Sequence, residues 1–141
     1  MTLILAPVAG EAEFADPALV GAFADELPKM LNALRQAPWC SYAVREDGRL
    51  VGMGGFKGPP TDENVVEIGY LTFVPEAGRG IATLTTAQLV RIAAAAGLDR
   101  VRAHTLPEIS ASTRVLEANG FRQVSLVQDP EDGMVWRWER G

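Results

Sequence analysis

A short glycine-rich segment lies between an apolar strand and the most regular helix that the sequence predicts. It consists of Gly78, Arg79 and Gly80, and Ile81 begins the helical pattern. Glycines let a backbone turn tightly and leave its N–H groups uncovered, and the first N–H groups of a helix have no partner within it. This junction is therefore suited to a phosphate or pyrophosphate, with Arg79 as an added cation.

Two other nucleotide-binding patterns do not fit this segment. A Walker-type loop needs Gly-Lys-Ser or Gly-Lys-Thr, and neither triplet follows the glycines. A dinucleotide fingerprint needs three spaced glycines in an early βαβ unit, and the third glycine is absent here. The residues alone leave open a tight connection that binds nothing.

The composition is that of a globular chain about one domain long. The 141 residues are 48% hydrophobic and carry 13 basic and 18 acidic side chains, for a net charge of −5. That balance argues against nucleic acid as a partner, because phosphate binding needs a concentrated positive surface, and it would suit a cationic acceptor. One cysteine, Cys40, and one histidine, His104, are too few for a thiolate zinc site or a two-histidine motif. We therefore expect no metal.

Signals for membrane insertion and export are missing from the sequence. No stretch approaches ~20 consecutive strongly apolar residues, and the short apolar run near the N-terminus has no basic leader. We expect a cytoplasmic location, no membrane partner and one domain over residues 1–141.

Strands and helices alternate in the second half of the chain, after a meander of strands in the first. Apolar residues at steps of three and four predict the clearest helix over 81–96, which Gly97 ends. Asp47-Gly48 between two strands is a strong hairpin signal. The predicted strands cover 2–6, 40–46, 50–56, 65–74, 100–106, 121–127 and 134–139, and further helices cover 14–27, 29–36 and 111–119. This order indicates a mixed α/β sheet.

Two motifs in a fixed order make the interpretation more specific. The first runs from Glu67-Ile68-Gly69-Tyr70 through Val74-Pro75-Glu76 to the glycine turn, and the second runs from Thr105-Leu106-Pro107-Glu108 through 111–121. Together they resemble the GNAT superfamily of N-acetyltransferases, and most closely its ribosomal-protein-alanine acetyltransferase-like branch. The strong match covers residues 65–127, and the element order agrees over essentially the whole chain.

The resemblance implies a mostly antiparallel sheet of about seven strands, splayed at the cofactor site, with helices on both faces. The pantetheine arm of acetyl-CoA would lie between the strands that end near Val74 and begin near Arg100, with its pyrophosphate on the glycine turn. The backbone positions expected to bind it are Phe73, Val74, Gly78, Arg79, Gly80, Ile81 and Ala82. Relatives are commonly homodimers, which the resemblance extends to this chain as an expectation.

Aminolysis of a thioester needs a deprotonated amine and a stabilised oxyanion. By the resemblance, Glu67 occupies the place where histone acetyltransferases carry a basic glutamate, and the backbone N–H near Val74 is the oxyanion donor. Ser112 matches a serine of the second motif that bonds the cofactor or assists the thiolate, and a helix cap is the alternative role. His104 lies on a strand beside the gap, where its side chain suits either a base or a structural role.

Three positions depart from the family pattern. The segment before the glycine turn is one residue short and carries Ala77, where the family usually has Arg or Gln. Ile109 and Leu116 replace an asparagine and a tyrosine that commonly serve the cofactor arm and the leaving thiolate.

The resemblance predicts an acetyl-CoA-dependent N-acetyltransferase that acts on a primary amine by direct attack. Cys40 is interpreted as a buried hydrophobe rather than a nucleophile, so no acyl-enzyme is expected. The acceptor stays open between a protein N-terminus and a small-molecule amine. The three departures motivate an alternative, a catalytically degenerate acyl-CoA-binding regulatory module, and a third hypothesis is an interaction domain whose glycine turn binds nothing.

Overall fold

The structure, a computed structural model, describes residues 1–8, 36–73 and 76–141. Within these ranges the chain forms seven strands and two helices. The strands are β1 (Leu3–Pro7), β2 (Ser41–Glu46), β3 (Arg49–Phe56), β4 (Val65–Thr72), β5 (Arg100–Thr105), β6 (Arg122–Asp129) and β7 (Gly133–Arg140). The helices are α1 (Ile81–Ala95) and α2 (Ala111–Ala118).

The seven strands form one sheet in the order β1-β2-β3-β4-β5-β7-β6. The pairing of β4 with β5 is parallel, and the other neighbouring pairs are antiparallel. The predicted mixed, mostly antiparallel sheet of about seven strands is therefore confirmed.

Helix α1 lies across the middle of the sheet with an apolar face turned inward. Leu89 and Ala93 are fully buried on that face, and the helix ends before Gly97, whose φ of +91° is the left-handed conformation of a helix terminus. The helix comes so close to β3 that a Cβ at Gly54 would lie 2.7 Å from Cγ2 of Thr85. Glycine at position 54 therefore permits this packing distance.

Both described helices pack on the same face of the sheet. One buried cluster joins Leu89 and Ala93 of α1 and Leu116 of α2 to residues of three strands, Ile68, Val101 and Trp138. The helices predicted over 14–27 and 29–36 lie outside the described residues except for Gln36, so the expectation of helices on both faces stays a prediction.

Two hairpins join neighbouring strands of the sheet, β2 with β3 and β6 with β7. In the first, Asp47 (φ 51°) and Gly48 (φ 80°) both adopt positive φ, as a two-residue turn of the predicted kind requires. The last two strands are longer than predicted, because the Asp129 carboxylate accepts the N–H groups of Glu131 and Asp132 at 2.9 Å and shortens the turn between them.

The described ranges contain neither a membrane-spanning helix nor a cluster of metal ligands. None of the helices there is long and apolar enough to cross a membrane. In the same ranges, no cluster of three or more His, Cys, Asp or Glu side chains is arranged to hold a metal ion, and the expectation of no metal stays a prediction.

Candidate active site

The strands β4 and β5 separate in the middle of the sheet. Their pairing ends at Glu67 and Arg102, although β4 continues to Thr72 and β5 to Thr105. Beyond that point, among the described strands, β4 pairs with β3 and β5 pairs with β7, so backbone groups on the facing edges have no strand partner. Such a gap can bind an extended ligand that carries amide groups, much as it would accept an added strand.

The glycine turn lies beyond the end of β4 and leads into α1. Gly78 and Gly80 both have φ of +81°, and a Cβ built at either would meet nothing within 4 Å. Gly80 is the N-cap of α1, so no side chain caps the helix, and its first turn carries no acidic residue. The first N–H groups of α1 are thus available to an anion, as the sequence predicts.

Phe73, before this turn, and Ile81, directly after it, are both buried in the core. Phe73 is fully buried, its N–H donates to the Val51 carbonyl at 3.0 Å, and its own carbonyl accepts the Glu76 N–H at 2.8 Å, so both of its backbone groups already have partners. The Ile81 side chain is buried against Val51 and Leu3, which anchors the first turn of α1. Val74, the predicted oxyanion donor, lies outside the described residues.

The Arg79 guanidinium is paired with carboxylates rather than free. It contacts Glu46 at 2.6 Å and also Glu76, and Arg49 contacts the same two acids. Hydrogen bonding from Arg79 holds the pKa of Glu46 below its ordinary value. The predicted contact of the Arg79 side chain with a phosphate would therefore need this cluster to rearrange, whereas the backbone of the turn needs no change.

Glu67 lies where the gap begins, on the face of the sheet opposite α1 and α2. Its side chain is 28% exposed and contacts Lys57 Nζ at 3.1 Å and His104 Nδ1 at 3.2 Å. Strand alternation could not fix the direction of His104, and the structure turns it toward Glu67. Two sequence candidates for acid–base chemistry are therefore neighbours.

A third residue sets the hydrogen-bonding state of His104. Nε of Arg137, on the adjacent strand β7, donates to Nε2 of His104 at 3.1 Å. An Nε2 that accepts is unprotonated, so in the neutral ring we assign the proton to Nδ1, which faces Glu67. Lys57 and Arg137 were missed by the sequence analysis, because only the strand register brings them to Glu67 and His104.

Ser112 lies on the other face of the sheet, away from Glu67. Its side chain is exposed, and the hydroxyl of Tyr70 donates to its backbone carbonyl at 3.2 Å. The cap of α2 is Ser110, whose side chain accepts from Thr113 N, so the alternative role of Ser112 as the cap is wrong. Burial raises the pKa of Tyr70 to about 12, so this phenol stays protonated at neutral pH.

The remaining candidates have simple surroundings. Cys40 is buried, and burial raises the pKa of its thiol, which disfavours a nucleophilic thiolate. Leu116 is fully buried in the core, whereas Ile109 is 79% exposed.

Comparison with known proteins decides the family. The sequence matches the model of the GNAT acetyltransferase domain over residues 12–122. The chain belongs to the GNAT acetyltransferase family. The predicted family is confirmed, and with it the assignment of the chain to the acetyltransferases. No curated protein sequence matches this GNAT acetyltransferase.

Solved structures similar to this GNAT acetyltransferase act on different acceptors. The ribosomal L7/L12 α-N-protein acetyltransferase RimL, in complex with coenzyme A, is 20% identical with a TM-score of 0.65, covering 71% of this chain and 60% of its own. A chimera of the spermidine N-acetyltransferase SpeG from Vibrio cholerae and hSSAT is 14% identical with a TM-score of 0.79, covering 99% and 95%. The aminoglycoside acetyltransferase AAC(6')-Ib, in complex with coenzyme A, is 18% identical with a TM-score of 0.77, covering 99% and 94%.

At identities this low, the similarity between the structures establishes the fold alone. The presence of RimL agrees with the predicted resemblance to ribosomal-protein acetyltransferases, and the chain spans 60% of the length of that structure.

Proposed function

We propose that this chain transfers an acetyl group from acetyl-CoA to a primary amine by direct attack. The observation that carries the proposal is the gap between β4 and β5. It begins at Glu67, a carboxylate on the face opposite α1 and α2, and β4 leads toward the uncapped N-terminus of α1. The gap and the turn before α1 together offer backbone partners, an anion site and a proton acceptor.

The unpaired strand edges and the uncapped helix N-terminus suit acetyl-CoA, which supplies an activated acyl thioester when bound. The N–H groups of the turn at Gly78, Gly80 and Ile81 would hold the pyrophosphate. The unpaired edges of β4 and β5 would bond the amides of the pantetheine arm. No cationic side chain is needed for this, which fits the pairing of Arg79 with Glu46.

Glu67 would take the proton that the amine must lose, directly or through a water molecule. Lys57 pairs with its carboxylate at the start of the gap, and Nδ1 of His104 lies 3.2 Å from it. As the new C–N bond forms and the C–S bond breaks, the proton of the amine leaves toward Glu67 and the departing thiolate needs a proton of its own. The backbone N–H near Val74 stays the predicted oxyanion donor.

Tyr70 is the proposed proton source for the thiolate. The family's tyrosine in the second motif is replaced here by Leu116, which is fully buried. The Tyr70 side chain comes from the part of β4 that borders the gap, and its hydroxyl lies at the first turn of α2. It carries a proton at neutral pH, and Ser112 orients it through a backbone carbonyl.

A regulatory acyl-CoA-binding module remains the second candidate. The buried Leu116 and the exposed Ile109 favour it, because neither can make the contacts that the family's tyrosine and asparagine make. The two functions differ in whether the thioester is consumed.

Binding of acetyl-CoA is tested first, by thermal unfolding with and without acetyl-CoA and with ATP and NAD as controls. A ligand at about 100 times its Kd should stabilise the fold by roughly 2.7 kcal/mol. Single-turnover acetylation of an amine panel then separates the functions, since a binding module would hold acetyl-CoA without releasing CoA. No midpoint shift with acetyl-CoA would overturn both.

Several further properties of this chain stay predictions. These are the acceptor, a single domain over residues 1–141, a homodimer, the absence of nucleic-acid and membrane partners, and a cytoplasmic location.

A further inference from the structure

Within the described part of the chain, the charged side chains near Glu67 and His104 are paired, with one exception. The contacts join Lys57 to Glu67, Arg100 and Arg102 to Glu139, and the Asp129 carboxylate to the N–H groups of Glu131 and Asp132. The exception is Arg137, which in the described part of the chain has no carboxylate partner.

The Arg137 guanidinium is nevertheless held in place. Its Nε donates to Nε2 of His104 at 3.1 Å, and strand pairing sets the two residues directly opposite each other. Its two terminal nitrogens, Nη1 and Nη2, have no acceptor among the described residues. A half-buried guanidinium with one edge fixed and one edge free presents donors in a geometry that matches a carboxylate.

The imidazole of His104 contacts both the Arg137 guanidinium and Glu67. A molecule that presents its amine to Glu67 can therefore reach Arg137 with a group a few bonds away. A carboxylate there would gain charge-assisted hydrogen bonds, whereas a second ammonium would meet a like charge.

We propose that the acceptor is a primary amine that carries a carboxylate, and that Arg137 binds this carboxylate. The inference rests on the proposed function, and it names the acceptor class of that same site. It differs from the expectation of a cationic acceptor based on net charge, because the charge beside Glu67 is local and that expectation counted the whole chain.

Matched amines that differ only in the carboxylate provide the test. Phenylalanine is compared with phenethylamine, and glycine, β-alanine and γ-aminobutyrate with methylamine, ethylamine and propylamine, with spermidine as the polycation. Steady-state kinetics at saturating acetyl-CoA should give at least one carboxylate-bearing amine a kcat/KM about 10- to 100-fold above its partner. The best member of the series reports the spacing between amine and carboxylate.

Variants at position 137 assign the effect to the guanidinium. Arg137→Gln should bring the kcat/KM values within each pair together, chiefly by raising KM for the carboxylate-bearing amine. Arg137→Lys should restore part of the difference. Arg91→Gln, at an exposed position on α1, is the control and should leave the ratio unchanged. The stabilisation by acetyl-CoA should be the same in all of these chains.

Three outcomes would overturn the proposal. Equal kcat/KM values within every pair, or a preference for spermidine, would rule out recognition of a carboxylate. Either result would leave the proposed acetyltransferase reaction in place. Loss of the acetyl-CoA midpoint shift in Arg137→Gln would show that the guanidinium binds a cofactor phosphate. Binding of acetyl-CoA without transfer to any amine would end the proposed function itself, and this inference with it.

Discussion

Nδ1 of His104 lies 3.2 Å from Oε2 of Glu67, across the line where β4 and β5 part. His104 follows Arg102, the last residue of β5 that pairs with β4, by two positions and faces the same side of the sheet. The contact joins a carboxylate at the start of the gap to an imidazole whose other nitrogen is bonded to Arg137. The two residues can be tested separately, because Glu67 would accept a proton and His104 would position the Glu67 carboxylate.

Removing the charge of Glu67 tests the base. We expect Glu67→Gln to lower kcat by about 10²- to 10⁴-fold, because the amide cannot take a proton, with little loss of acetyl-CoA affinity. The measurement is the pH–rate profile of wild type and variant beside acetyl-CoA binding. A profile with unchanged shape would remove Glu67 from the mechanism.

Changes at His104 test positioning. We expect His104→Ala to lower kcat by roughly 10-fold, since the Glu67 carboxylate loses a neighbour that holds it, while KM for acetyl-CoA stays the same. His104→Gln, which keeps a donor, should recover part of the loss. A structural role alone would lower the unfolding midpoint in both variants and leave kcat of the folded enzyme unaltered.

The two sides of the contact between Tyr70 and Ser112 are separable, because the serine takes part through its backbone. We expect Tyr70→Phe to slow release of CoA by roughly 10²-fold, and Ser112→Ala to have little effect, since the carbonyl that accepts from Tyr70 is kept. Single-turnover detection of free thiol measures both. A larger loss in Ser112→Ala than in Tyr70→Phe would assign protonation of the thiolate to the Ser112 hydroxyl.

Gly54 tests the packing of α1 on β3. We expect Gly54→Ala to destabilise the fold by about 1–3 kcal/mol, because the new methyl group would meet Thr85 and Leu89 at 2.7 and 3.2 Å. Gly58→Ala is the control, since a Cβ there meets nothing within 4 Å. Denaturant unfolding of both variants measures the difference, and equal stabilities would contradict the close approach.

The two tyrosines of the chain, Tyr42 and Tyr70, should titrate far from pH 10. Burial raises the pKa of each to about 12, so the folded chain keeps protons that the unfolded chain has lost. Stability is therefore complete below pH 10 and falls between pH 10 and 12, by on the order of 1 kcal/mol per tyrosine for each pH unit.

Phenolate absorbance and denaturant unfolding at stepped pH values check this expectation. Tyr70→Phe should remove part of the loss at high pH. A transition near pH 10 in the folded chain would show that the two phenols are not shielded from water.

Local sequence signals determined much of the fold. The spacing of apolar residues gave the bounds of α1 to within one residue, and Asp47-Gly48 marked its hairpin because few other residues adopt two successive positive φ values. Gly78 and Gly80 identified the turn before α1 for the same reason. These features depend on residues that are close in the chain, so a pattern of neighbours is enough to predict them.

The chemistry of the site depended on contacts that only the sheet creates. Glu67 was predicted by resemblance, but the residues around it come from distant parts of the chain: Lys57 follows β3, His104 lies on β5, and Arg137, which bonds to His104, lies on β7. Likewise, the cap of α2 was assigned to Ser112 as an alternative, and Ser110 holds that position because it alone has the extended backbone at the start of the helix.

The physical reason is strand register. A shift of one residue in the pairing of β5 with β7 would turn Arg137 to the opposite face and separate it from His104. Register is fixed by the packing of the whole core, which includes Ile68, Val101 and Trp138. The sequence by itself therefore determined the family, the order of the described elements and the position of the glycine turn, whereas the tertiary structure decided which side chains meet beside the gap.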